Sequence, residues 1–470
     1  MTIPRLLVSA AHRSSGKTTL AFGLAAALRE GGCTVQPFKK GPDYIDPMWL
    51  SLAAGRTCRN LDPHLSDARA LHATLVQACD GADLALVEGN MGLHDGIALD
   101  GRNSSAALAR ALDLPVLLVI DARGMTRGVA PLLLGQQAFD RSVRIGGVVL
   151  NRVGGARHEA KLRAAIEHYT DIPVLGALGE DERLGLAERH LGLMPCAEVD
   201  DARERVQAIG RCVAAQVDLA RVRELAAGAA PLPSMAAPVP AAPRTPDLRI
   251  GIARDRAFGF YYPEDLDALR AAGADLVPVD MLGDPHLPAL DGLVIGGGFP
   301  ETCMEALQAN APLRRALREA IEAGLPTYAE CGGLMVLARS ITWQGRRAEM
   351  VGVIPGDAVM HARPVGRGYV ELEETGALPW DGPAGTAVHG HEFHHSSLEN
   401  LPPGLRFAYR VRRGHGIDGQ RDGLVLHNLV ASYTHLRSGA GAHWAPRFAA
   451  FVRRVRAQRQ AAAREPALAD

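Results

Sequence analysis

Short apolar runs recur along the first half of the chain, at Leu6–Val8, Leu84–Val87, Val116–Ile120, Val148–Leu150 and Val174–Leu175. Runs that are apolar at every position suit parallel strands buried on both faces, because an alternating pattern would leave one face to water. Amphipathic stretches such as Thr18–Glu30 and His158–Tyr169 lie between them and read as covering helices. The alternation resumes with Arg249–Ala253, Glu264–Ala272, Leu276–Val279, Leu293–Ile295 and Pro312–Ala323. The fold class expected is therefore α/β, with two doubly wound domains. Between them Ala226–Pro246 reads AAGAAPLPSMAAPVPAAPRTP, where recurrent proline removes backbone donors and leaves a semi-rigid tether. The expected layout is a first domain over 1–225, a linker over 226–247, a second domain over 248–445 and a C-terminal tail over 446–470, whose Ala/Arg-rich part after Arg454 reads as a solvated helix end.

Composition narrows the class. At 47% hydrophobic and 22% charged residues, the 470-residue chain excludes disorder, collagen and coiled coil. Lys plus Arg number 51 against 52 Asp plus Glu, so no bulk charge favours nucleic acid. The seven cysteines are scattered and form no C-x-x-C pair, which argues against a disulfide framework or zinc cluster and fits a reducing cytoplasm. Met1–Leu7 lacks a signal-peptide core and no apolar run reaches membrane-spanning length, so neither secretion nor a membrane partner is expected.

Ser14-Ser15-Gly16-Lys17-Thr18-Thr19 follows the first strand and opens a helix, the context of a phosphate-binding loop. Backbone N–H groups around Ser15, Gly16 and Thr19 would wrap phosphate oxygens of ATP, Lys17 would reach the β and γ phosphates, and Thr18 would hold Mg²⁺. Ala11 stands where the full pattern asks for glycine, and His12 stands where partitioning-type switch ATPases carry lysine. Lys39-Lys40-Gly41-Pro42-Asp43-Tyr44-Ile45-Asp46-Pro47 ends the second predicted strand, and Glu88 ends the strand Leu84–Val87. Asp46 and Glu88, at strand ends beside a phosphate loop, are the metal-ligand candidates with Thr18. Asp46 could instead be a helix N-cap ahead of Pro47. Asn151 ends another strand, as a nucleotide-base contact or a plain turn.

In the second half Tyr328-Ala329-Glu330-Cys331-Gly332-Gly333 places a thiol on a tight strand-to-helix turn, which exposes a nucleophile and aims the N–H of Gly332 at a developing oxyanion. Gly296-Gly297-Gly298 follows the strand Leu293–Ile295, and Gly298 is the second oxyanion candidate. A thiol needs a base, and His435 in ASYTH is the choice. His389, His391, His394 and His395 cluster with Glu392 as the sole acid, too few hard ligands for a metal-site expectation.

Together SSGKTT, KKGPDYIDP, VEGNMGLHDG, GGGFPE, YAECGGLM, HGHEFHHS and ASYTH resemble the cobyrinic acid a,c-diamide synthase family, including its hydrogenobyrinic acid form, from Leu6 to His435. The resemblance implies a dethiobiotin-synthetase-like ATPase domain joined to a class I, triad-type glutamine amidotransferase domain. It implies ATP- and glutamine-dependent amidation of the a and c acetates of a corrin ring in cobalamin biosynthesis, with Mg²⁺ and ATP required. Lys40, Asp43, Tyr44 and Asp95 are the candidates for substrate binding or activation, with metal binding also open for Asp43 and Asp95; Cys331 and His435 are those for glutamine hydrolysis, and a homodimer is the commonest default assembly. Triad amidotransferases usually present an acid two residues after the histidine, where this chain has Arg437, so the group that orients His435 is open. Rival readings are cobyric acid synthase, nickel-sirohydrochlorin a,c-diamide synthase, and a P-loop switch with a vestigial thiol domain. His12 and the intact ECGG turn count against the switch.

Overall fold

The protein is described by a computed structural model that covers residues 3–181, 185, 188–189, 192–233, 244–380, 382–438 and 443–464. It divides into two compact units, residues 1–238 and 239–470.

The first unit is built on seven strands: β1 (Arg5–Ala10), β2 (Val35–Lys40), β3 (Arg59–Leu61), β4 (Leu84–Glu88), β5 (Val116–Asp121), β6 (Ile145–Val153) and β7 (Val174–Gly179). They form one parallel sheet in the order β3-β2-β4-β1-β5-β6-β7. β1 and β5 are buried along their whole length, as continuous apolar runs require when helices cover both faces. The helices Lys17–Glu30, Ile45–Ala54 and Ala202–Gln216 pack together. Because every strand runs the same way, the carboxyl ends of β1, β2, β4, β5 and β6 meet at one edge, where ligands bind in open parallel sheets.

The linker expectation is corrected at its start. The helix Leu219–Ala227 runs past residue 225, Ala226 and Leu232 are buried, and the buried Arg5 donates to the Ala230 carbonyl at 2.6 Å. Residues up to 232 thus pack on the first sheet, and the expected tether over 234–243 lies outside the described residues.

The main sheet of the second unit contains β8 (Leu248–Ala253), β9 (Ala274–Val279), β10 (Gly292–Ile295), β11 (Thr327–Glu330), β12 (Gly366–Glu374), β13 (Ala387–His394), β14 (Arg406–Arg413), β15 (Arg421–Leu426), β16 (Leu429–Ser432) and β17 (His435–Leu436). Its order is β9-β8-β10-β11-β16-β15-β14-β12-β13-β17. The first five strands in that order are parallel and the remainder antiparallel. A four-stranded sheet flanks it.

The expected C-terminal tail from 446 starts inside a helix, and the stretch after Arg454, expected as a solvated helix end, is helical to Arg464 and exposed over 457–462. A helix over Trp444–Arg464 buries Trp444, Phe448, Phe451, Val452 and Val455 in the core. These positions recur at helical spacing, and the Ala- and Arg-rich composition hid them. Among the described residues no helix is long and apolar enough to cross a membrane.

Candidate functional site

Both candidate sites stand where strands of the two sheets end. In the first unit the loop after β1 places Ser14 at φ 60° and Gly16 at φ 88°, both in left-handed backbone. Gly16 is further required by space, since a Cβ there would lie 2.0 Å from Asn151 Nδ2. That amide, at the end of β6, donates to the Ser15 carbonyl at 2.9 Å. Its neighbour Arg152 donates to the Ser14 carbonyl at 2.8 Å and pairs with Asp121, at the end of β5, at 2.6 Å. Burial opposes the charge on Asp121, but hydrogen bonds from Arg123 and Arg152 outweigh it and hold the carboxyl at about 2. The side-chain amide of Asn151, the candidate for a nucleotide-base contact, thus braces the phosphate loop. Ser15 adds a bond from its hydroxyl to the His12 carbonyl at 2.8 Å. Lys17 is the first helical residue and is buried. Burial and then Lys39 pull its pKa down, while Glu88, Asp46 and Asp43 act upward. Thr18 donates from Oγ1 to Glu88 Oε1 at 2.6 Å, and Thr19 is half-buried in the same turn.

Beside this loop lies a buried charge cluster centred on Lys39. Its Nζ is 2.5 Å from Asp46 Oδ2, 2.9 Å from Glu88 Oε1 and 3.8 Å from Asp43 Oδ2, with the side chain 2% exposed. Burial alone would drive the proton off, yet the three carboxylates raise its pKa. Lys40, the substrate candidate, does not share this cluster. Adjacent residues on a strand face opposite sides, so Lys40 leaves the cluster, and its pKa is lowered by burial with Asp62 acting against. The register that pairs Lys39 with Glu88 across β2 and β4 was the missed signal, since neighbours in register share a face.

Asp43 Oδ1 accepts the N–H groups of Ile45 at 3.0 Å and Asp46 at 3.1 Å, so Asp43 caps the helix Ile45–Ala54. The cap reading weighed for Asp46 belongs to Asp43. Burial and the adjacent Asp46 push Asp43 up to about 7, with Lys39 acting against. Tyr44 stands half-buried between them. Asp95 is exposed and accepts the Gly92 N–H at 2.9 Å, which closes the turn beyond Glu88.

Glu88 is fully buried and its Oε2 has no hydrogen-bond partner among the described residues. An unmatched carboxylate oxygen beside the Thr18 hydroxyl at the phosphate loop is the oxygen donor set that Mg²⁺ favours. Among the described residues no group of three His, Cys, Asp or Glu side chains is placed to hold a metal alone. Such a set suits an ion that also draws ligands from a nucleotide and water.

Lys39→Met should cost about 3 to 5 kcal/mol of stability, because it leaves Glu88 and Asp46 buried without their cation. Thermal unfolding measures it, and the deficit should shrink as the pH falls, since a protonated carboxyl needs no partner. An unchanged melting temperature would show that the cluster is not held by this lysine.

In the second unit β11 runs straight into Cys331, which has φ 49° and ψ −101° and precedes the helix Gly332–Leu337. Its N–H donates to the Ser432 carbonyl at 2.8 Å, which ties the elbow to β16. The Cys331 thiol acts on His435, the first residue of β17, and favours its charged form. Burial disfavours the charged ring, but the bonds to Cys331 and Glu330 outweigh it and push His435 up to about 10. His435 Nδ1 lies 3.2 Å from Glu330 Oε2. His391 stacks on His435, with centroids 5.0 Å apart. The turn that delivers His435 is fixed by the buried Asp422, which accepts the N–H groups of Tyr433 and Thr434 at 3.0 Å each. Neither Glu330 nor Asp422 was read from the sequence.

Gly298 lies in a two-stranded ribbon, Phe258–Phe260 against Gly297–Gly298. A Cβ on Gly298 would sit 1.9 Å from the Ala257 carbonyl, so no other residue fits. A Cβ on Gly332 would stand 3.0 Å from the Gly298 nitrogen, so the two expected oxyanion loops touch at the thiol. In the histidine cluster His394 Nδ1 donates to the Ser396 carbonyl at 2.8 Å and its ring stacks on Tyr433 at 3.9 Å. Glu392 receives the N–H groups of His415 and Gly416.

Comparison with known proteins agrees with both halves. Residues 9–193 match the CobQ/CobB/MinD/ParA nucleotide binding domain, and residues 249–442 match the CobB/CobQ-like glutamine amidotransferase domain. A cobyrinate a,c-diamide synthase of Magnetococcus marinus is 48% identical over 457 residues, covering 96% of this chain and 97% of that protein. The proteins of the same name from Methanosarcina acetivorans and Listeria monocytogenes are 42% and 39% identical, over 93% and 92% of this chain and 93% and 96% of theirs. With an ATP-binding sheet edge and a thiol elbow in one chain, and this likeness along nearly its whole length, the chain belongs to the cobyrinate a,c-diamide synthase family of ATP-dependent glutamine amidotransferases.

Proposed function

We propose that the chain amidates the a- and c-acetate carboxylates of a corrin ring, cobyrinate or its metal-free counterpart hydrogenobyrinate, in cobalamin biosynthesis. The observation that carries this reading is the pairing, in one chain, of the Lys17–Thr18–Glu88 loop with the Cys331–His435 elbow. The reaction's need for ATP and glutamine supports a cytoplasmic location.

A carboxylate resists ammonia because its carbon is a poor electrophile and its oxygen a poor leaving group. Transfer of the γ-phosphoryl group of ATP to that oxygen gives an acyl phosphate and ADP, and attack by ammonia then expels phosphate. Lys17 and the loop N–H groups hold the nucleotide phosphates. Thr18, Glu88 and Asp46 are the residues that would hold Mg²⁺, which when bound neutralises charge on the transferring group. Lys39 holds Glu88 and Asp46 in place through its ion pairs. Asp43 and Tyr44, on the rigid GPDY turn, and Asp95 beyond Glu88 are the candidates to receive the substrate.

Ammonia comes from the second unit. The Cys331 sulfur attacks the glutamine amide carbon, and the N–H groups of Gly332 and Gly298 receive the oxyanion. His435 protonates the leaving ammonia and then takes a proton from the water that releases glutamate from the thioester.

Incubation with ATP, glutamine and each of cobyrinate, hydrogenobyrinate and nickel-sirohydrochlorin tests the substrate assignment. A doubly amidated corrin by mass spectrometry, with ADP formed, is the expected result. Amidation of the nickel ring alone would refute the assignment.

A further inference from the structure

We propose that Glu330, the residue before the nucleophile, is the carboxylate that orients His435 for proton transfer with Cys331. This rests on the reading of Cys331 as the glutamine nucleophile. The position two residues after His435 is closed to the role. Arg437 stands there, with its guanidinium over the Tyr262 ring at 5.3 Å and 3.6 Å from Glu264 Oε1, and a cation cannot accept an imidazole N–H.

Glu330 fills the role geometrically. Its Oε2 lies 3.2 Å from His435 Nδ1, and its Oε1 accepts the Leu436 N–H at 2.9 Å and the Tyr328 hydroxyl at 2.6 Å. One carboxylate thus grips both the ring and the backbone that follows it, and Tyr328 is fixed by stacking on Trp444 at 4.3 Å. Adjacent side chains on a regular strand point to opposite faces. The left-handed turn at Cys331 breaks that alternation and lets residues 330 and 331 both meet His435. With Nδ1–H given to Glu330, Nε2 is left for the thiol: it takes the sulfur's proton, and the carboxylate stabilises the imidazolium that results.

The surrounding charges leave Glu330 as the partner. His391, stacked on His435, is held neutral by burial and shares a 3.3 Å contact with the Tyr262 hydroxyl. Burial holds the Asp265 carboxyl well above the usual range while it receives the Ser438 N–H at 2.6 Å. Tyr261, Tyr328 and Tyr409 are raised by burial and stay uncharged near neutrality, and Arg437 faces Tyr262.

Glu330→Gln is expected to lower glutaminase kcat by about 10²- to 10⁴-fold, as loss of a triad acid does, with KM for glutamine little changed. The basic limb of the kcat pH profile should move to lower pH, because without the carboxylate His435 loses one of the bonds that hold its pKa up. Glu330→Asp, which draws the carboxylate back by one methylene, should lose at least about tenfold in kcat, and it decides the matter if the glutamine variant fails to fold. Either folded variant with wild-type kcat overturns the inference. So does a loss of kcat with its pH profile unmoved, which is what a merely structural role would give. If Cys331→Ala kept its glutaminase activity, the nucleophile assignment itself would fail; if it is inactive while the Glu330 variants match wild type, only Glu330 is wrong.

Discussion

Cys331→Ala is expected to lose glutamine-dependent amidation by about 10⁴-fold or more, because no other group at the elbow can form the acyl-enzyme. The same variant should still amidate when ammonium salt is supplied, since the ATP chemistry belongs to the first unit. That rescue should grow as the pH rises, because only unprotonated ammonia attacks. The substitution removes one sulfur from a residue 7% exposed and leaves the elbow's backbone bond to Ser432 intact, so the fold should survive. Product formation with each nitrogen source, measured side by side, checks the prediction. Normal use of glutamine by the variant would remove the second unit from the reaction.

The contrast between what was legible in the sequence and what was not has a physical basis. The phosphate loop and the thiol elbow were readable because each depends on backbone geometry that few residues tolerate, so glycine spacing marks it. Gly16 and Gly298 are confined by atoms 2.0 and 1.9 Å from where a Cβ would stand. Side-chain partners are a different matter. Whether Lys39 or Lys40 joined the acids depended on the register of β2 against β4, a non-local property. Glu330 was hidden because its partnership with His435 spans 105 positions and needs a turn that violates strand alternation. The antiparallel half of the second sheet escaped notice because its strands are half-buried and mixed in polarity, as in β12, where exposed and buried positions interleave.

Glu88→Gln should abolish amidation from glutamine and from ammonium salt alike, a loss of about 10²- to 10³-fold or greater. The argument begins with the unmatched Glu88 Oε2. The amide of glutamine fits the same space and can keep an oxygen toward Thr18 and Lys39, but it puts a donor or a neutral group where a metal-binding anion stood. Asp46 and Asp43 remain to balance Lys39, so the variant should unfold near the wild-type temperature, in contrast to Lys39→Met. Loss of function with stability kept separates a chemical role from a structural one. Because ammonia cannot bypass a missing acyl phosphate, ammonium salt rescues Cys331→Ala and fails to rescue Glu88→Gln. That opposite response assigns activation to the first unit and nitrogen supply to the second. Full synthase activity in Glu88→Gln from either nitrogen source would dismiss Glu88 from metal and phosphate chemistry and leave it as a counter-ion to Lys39.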